Sequence, residues 1–134
     1  MNLIHGKLRE SGDALMFKES QGGVIEFKLG DRPEARPFAG REIIAGIRPE
    51  HIVIVTGPAR PGGLRFPSLV DIVEPLGAEA SVHLDTGAHT LVCRTEAPLG
   101  NDEAGHRMQF EIDPARVHLF DPETTRRIAG QTGL

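Results

Sequence analysis

The dominant pattern along the chain is alternation of apolar and polar residues with a period of two, the spacing that sends successive side chains to opposite faces of a strand. Met108, Phe110 and Ile112 alternate with Gln109, Glu111 and Asp113, and Val82 and Leu84 alternate with Ser81, His83 and Asp85. Each set predicts a half-buried strand. The same alternation, or a short run rich in β-branched residues, predicts strands over 3–9, 14–19, 24–29, 42–47, 52–55, 64–73, 90–95 and 117–120.

Turn-forming clusters separate these segments: Ser11-Gly12-Asp13, Gln21-Gly22-Gly23, Gly57-Pro58, Arg60-Pro61-Gly62-Gly63, Asp85-Thr86-Gly87 and 98–102. No long stretch has apolar residues at i, i+3 and i+4, so little helix is expected. The segment from Gly30 to Arg41, with Pro33 and Pro37, predicts the longest loop. Many short strands joined by turns make an all-β barrel or sandwich, and no boundary divides residues 1–134 into more than one domain.

Composition supports a folded chain. With 134 residues, 39% of them apolar and 25% charged, the chain is far from the signature of disorder. Its 15 Lys and Arg against 19 Asp and Glu give a formal charge of −4, the wrong sign for a nucleic-acid partner. With no Trp and no Tyr, the chain also lacks most of the aromatic platform on which single-stranded bases stack. The longest apolar runs, such as 52–55, are too short to cross a bilayer, and no signal peptide follows Met1. A cytoplasmic protein, or one peripheral to a membrane complex, is expected. Cys93 is the only cysteine, which excludes an intrachain disulfide and a cysteine-based zinc site.

The chemistry-bearing motifs are mostly absent. Lys7, Lys18 and Lys28 are followed by Leu8, Glu19 and Leu29, so no phosphate-cradling Gly-Lys-Ser/Thr loop exists. Ser20-Gln21-Gly22-Gly23 reads as a hairpin turn, and no G-x-S-x-G elbow surrounds a serine. The six histidines, His5, His51, His83, His89, His106 and His118, have no paired metal-ligand spacing and are expected to face solvent. Cys93 is expected to be a small buried side chain. No catalytic residue, metal or cofactor is assigned.

Two segments stand out. In Gly46-Ile47-Arg48-Pro49-Glu50-His51, proline rigidifies the link between two strands, and Arg48 and Glu50 either pair locally or reach a neighbouring surface. The local ion pair is the simpler reading. In Val73 to Glu79, Pro75 and Gly77 break one strand from the next at a polar corner.

Together with Met1 to Ile4 and Gly6, and with Val117-His118-Leu119-Phe120-Asp121-Pro122-Glu123-Thr124, these two segments resemble, in order and spacing, the transport-associated OB domain, TOBE. That domain ends the ATPase subunits of maltose-type ABC importers for sugars and glycerol phosphates. The resemblance implies an OB-type small barrel without catalytic function, preceded in the full subunit by a nucleotide-binding ATPase domain. This chain is then a truncated fragment, or a family member reduced to its tail. In such subunits the tails pair across a two-fold axis, in some members receive regulatory proteins or small ligands, and work beside membrane permease subunits at the inner face of the membrane. Arg48, Glu50, His51, Glu74 and Glu79 are accordingly the candidate interface residues, with a homodimer as the expected state. The alternative implied by related domains of molybdate systems is a small-oxyanion site. The loop from Pro98 to Arg107 is longer and more polar than the family's usual connection.

Overall fold

The computed structural model describes residues 1–29, 32–55, 64–95 and 105–128. The predicted turns at 57–58, 60–63 and 98–102 lie outside those residues. β1 (Asn2–Ser11) buries Asn2, Ile4, Gly6 and Leu8 while Leu3, His5, Lys7 and Arg9 point outward, as the alternation requires. Gly12, at φ 65°, takes the left-handed conformation of the turn, and the chain doubles back as β2 (Ala14–Glu19) with Ala14 opposite Ser11.

β3 (Glu26–Lys28) pairs with β2, and β4 (Glu42–Ile47) with the other edge of β1. Then come β5 (Ile52–Val55), β6 (Leu64–Pro75), β7 (Ala80–Asp85), β8 (Thr90–Thr95), β9 (Arg107–Ile112) and β10 (His118–Phe120). They form two antiparallel five-stranded sheets, ordered β10-β4-β1-β2-β3 and β5-β9-β6-β7-β8. The outer strands of the second sheet, β5 and β8, approach each other, so this sheet curls toward a barrel. The fold is all-β and of OB type, with only short 3-10 turns as helix among the described residues.

The chain passes between the sheets twice, each time through a proline-led 3-10 turn. Pro49–His51 carries it from β4 to β5, and Pro114–Arg116 returns it from β9 to β10. Proline suits the first position of such a turn because its φ is preset and its missing N–H would have no partner there. Asp113 caps the second crossing by accepting a hydrogen bond from the Ala115 amide at 3.0 Å.

One hydrophobic core fills the space between the sheets. Ile4, Leu8, Phe17, Ile43, Ile47 and Leu119 come from the first sheet, and Ile52, Val82, Leu84, Leu91, Phe110 and Ile112 from the second. Phe17 packs on Phe27 at 5.3 Å and Phe66 on Phe110 at 5.6 Å between ring centroids. Cys93 lies fully inside, as expected.

Two expectations need correction. The strand predicted over 24–29 shrinks to Glu26–Lys28, because the Val24 amide leaves the first sheet to donate to the Thr86 carbonyl at 3.2 Å. The segment predicted as a loop over 30–41 contains the 3-10 turn Pro33–Phe38, which buries Ala35.

Candidate functional site

Arg48, Glu50 and His51 occupy the first crossing, in a turn that packs against β8. Arg48 and Glu50 are exposed and make no ion pair with each other, which corrects the simpler sequence reading. The Glu50 carboxyl is held below the ordinary glutamate range, chiefly by a hydrogen bond from its own backbone amide and further by the charges of His51, Arg48 and Arg94. His51 Nδ1 is buried with no hydrogen-bond partner among the described residues.

Glu74 lies near the end of β6 and Glu79 in the β6–β7 turn, where the Leu76 amide donates to the Glu79 carbonyl at 2.7 Å. Register connects Glu74 with the first group. Glu74 is opposite Ser81 on β7, and Ser81 is opposite Arg94 on β8, the arginine whose charge reaches Glu50. The neighbouring row runs Ile72, His83, Val92, and His83 Nε2 stands 3.6 Å from the Glu74 carboxylate. Glu74 and His83 thus meet on the outer face of the second sheet, with Arg94 at the end of the Glu74 row and Glu50 within reach of its charge from the crossing turn. Ile72 and Leu69 on β6 and Leu76 just beyond it are 48%, 39% and 54% exposed, a row of apolar side chains left in water.

Arg48 contributes to a different group. The His118 imidazole is held below the usual histidine range by partial burial and then by the positive charges of Arg127, Arg48, Arg32 and His51. His118 lies on β10 opposite Gly46, two residues before Arg48.

A third constellation escaped the sequence reading. Glu19 is buried, its side chain 0% exposed, at the end of β2. One carboxylate oxygen accepts from the Ile25 amide at 3.1 Å, and the other from the Thr86 hydroxyl at 2.5 Å. That second oxygen also lies 2.6 Å from Nδ1 of His89, whose Nε2 accepts from the His5 amide at 3.1 Å. Because Nε2 is the acceptor, the neutral ring carries its proton on Nδ1 and donates it to Glu19. The His89 side chain is 18% exposed, which corrects the expectation that all six histidines face solvent. The available signal was parity: Glu19 falls on the same face of β2 as Leu15 and Phe17.

The TOBE domain matches over residues 45–120, and the MalK OB fold domain over residues 1–52. The sulfoquinovosyl glycerol transport ATP-binding protein SmoE of Agrobacterium fabrum is 34% identical over 125 residues, covering 91% of this chain and 32% of that protein. The sn-glycerol-3-phosphate import ATP-binding protein UgpC of Chromobacterium violaceum is 36% identical over 129 residues, covering 96% of this chain and 32% of its own length. The chain therefore spans about a third of the length of these relatives. Among solved structures, the cytoplasmic molybdate-binding protein ModG with molybdate bound is similar with a TM-score of 0.64 at 18% identity, covering 90% of this chain and 96% of ModG. That likeness concerns the fold.

Proposed function

Given that the chain belongs to the TOBE-domain family, we propose that it is the non-catalytic regulatory and dimerisation domain of an ABC-importer ATP-binding subunit that takes up a sugar or a glycerol phosphate. In the complete subunit a nucleotide-binding domain precedes it, and permease subunits hold the assembly at the cytoplasmic face of the membrane. The relatives' names support the transporter, and the outer face of the second sheet supports the pairing role. Leu69 and Ile72 on β6 and Leu76 just beyond it are exposed, and so are Glu74 on the same strand, Glu79 in the turn that follows and Arg94 on β8. An apolar centre with a polar rim is the usual anatomy of a protein–protein surface. Arg48 and His51, at the crossing turn, face the preceding domain or a regulatory partner.

Sedimentation equilibrium tests the reading. The chain is expected to self-associate, and Ile72→Glu is expected to weaken association about tenfold or more, the scale of one buried anchor, without lowering the melting temperature. The companion double variant Arg48→Ala with Glu50→Ala separates the crossing turn from the sheet face. A chain that stays monomeric at its highest soluble concentration would remove the dimerisation role.

A further inference from the structure

A cavity of about 400 Å³ opens on the first sheet, lined by His5, Ser20, Gln21, Glu42, His89 and Pro122. Gly6 and Ile43 complete its wall. Its size falls within the range of small-molecule sites. It lies apart from the face assigned to pairing, and its occupancy does not depend on that assignment.

The cavity lies where β2 ends at Glu19 and the Ser20 amide makes a last bond to the His5 carbonyl at 3.0 Å, while β1 continues. The His5 amide loses the strand partner that β2 supplied further along, and Nε2 of His89 takes that partner's place. The two imidazoles then lie face to face, 6.0 Å apart with planes 7° from parallel. Behind His89, the buried Glu19 carboxylate and the Thr86 hydroxyl fix the ring and its tautomer. Burying a carboxylate is costly unless each oxygen is bonded, as both are here. Its effect is to hold one wall of the cavity rigid, the arrangement that binding sites use to preorganise a first layer of contacts.

The lining chemistry selects the ligand. The His5 ring, the Ser20 hydroxyl, the Gln21 amide and the Glu42 carboxylate have no hydrogen-bond partner among the described residues. They supply donors and acceptors in mixture. Among the described residues that line the space, Glu42 is the single fixed charge and none is Lys or Arg, so the walls themselves hold no cation to neutralise a phosphate, sulfonate or oxyanion; Lys7, opposite Glu42 on β1, lies outside them. Pro122 and the imidazole faces offer apolar surface for C–H groups. We propose that this cavity binds a small neutral polyol or monosaccharide, its hydroxyls donating to Glu42 and exchanging hydrogen bonds with His5, Ser20 and Gln21.

The test follows the ring Hε1 resonances of all six histidines by NMR during titration of the chain with D-glucose and with glycerol. Saturable shifts of His5 and His89 in the millimolar range are expected, with His118 unmoved. Glu42→Ala, an exposed residue whose loss leaves the core intact, should weaken binding about tenfold, the scale of one charge-assisted hydrogen bond, while its His118 resonance reports an unchanged fold. Parallel titrations with sn-glycerol 3-phosphate and molybdate form the anionic arm. Saturation by these anions alone, non-saturating drift with the neutral sugars, or equal affinity in Glu42→Ala would each overturn the proposal. None of these outcomes bears on self-association.

Discussion

Two buried side chains carry residue-scale consequences that solution measurements can read. Burial pushes the Cys93 thiol from 9.0 up to about 12. The native state therefore keeps its proton where the unfolded state releases it, and stability falls as pH rises between those two values. Urea titrations at stepwise alkaline pH should show that decline, and Cys93→Ala should flatten it. The thiol should also resist aromatic disulfide reagents until the chain is unfolded. Glu19 is the second case. Glu19→Ala would leave the Ile25 amide and the His89 Nδ1–H without their acceptor and turn the Thr86 hydroxyl to the His89 carbonyl alone, 3.1 Å away, at a cost of about 3 kcal/mol. Glu19→Gln keeps the shape but replaces one acceptor oxygen with a donor, so roughly half that loss is expected in the same urea experiment. Equal stability of wild type and Glu19→Ala would mean that water replaces the carboxylate and that the network is loose.

At the scale of elements, close approach is decided at Gly6. A Cβ there would stand 2.5 Å from the Lys18 carbonyl oxygen and press on the Phe17 ring, which occupies the space across the β1–β2 pair. Gly6→Ala should therefore destabilise by roughly 1–3 kcal/mol through overpacking, measurable as a fall in melting temperature. Phe17→Leu in the same chain should recover part of that loss by vacating the ring's edge. These strands were legible in the sequence because their burial follows a simple alternation: β1, β2, β4, β5, β7, β8 and β9 run close to the predicted segments. What the alternation misses is set by long-range partners. Val24 reads as strand by composition, yet its amide goes to Thr86 in the β7–β8 turn, and β6 shifts register between Val70 and Ile72. The candidate interface was legible only as a family resemblance. The residues that organise it, Arg94 and His83, meet Glu50 and Glu74 through pairings that no local motif encodes. Glu19 and His89 are likewise 70 residues apart, and only the core parity of a carboxylate hinted at their meeting.

For the whole molecule, the question is whether two sheets joined by two short crossings unfold together. The core is continuous across both, so neither sheet retains a buried face when the other opens. Polar links reinforce this from β1 and β2 to the β7–β8 hairpin. Besides the Glu19 network, the buried Asn2 amide donates to the Ile47 carbonyl at 3.1 Å and the Val92 carbonyl at 2.8 Å, and its oxygen accepts from the Val92 amide at 2.7 Å. Asn2 thus ties the edge strand of the second sheet to the middle of the first. Asn2→Ala should cost about 2 kcal/mol, since the Val92 amide is left without its acceptor. If the sheets form one cooperative unit, that loss moves a single transition to lower urea while its slope stays the same, and the calorimetric enthalpy equals the van't Hoff value. A shallower slope, or a second transition uncovered by Asn2→Ala, would show that the link and not the shared core couples the sheets. The extent of the core favours the former outcome: Ile4, Ile47 and Leu119 from one sheet and Ile52, Leu91 and Ile112 from the other are each at most 1% exposed, buried in one continuous cluster.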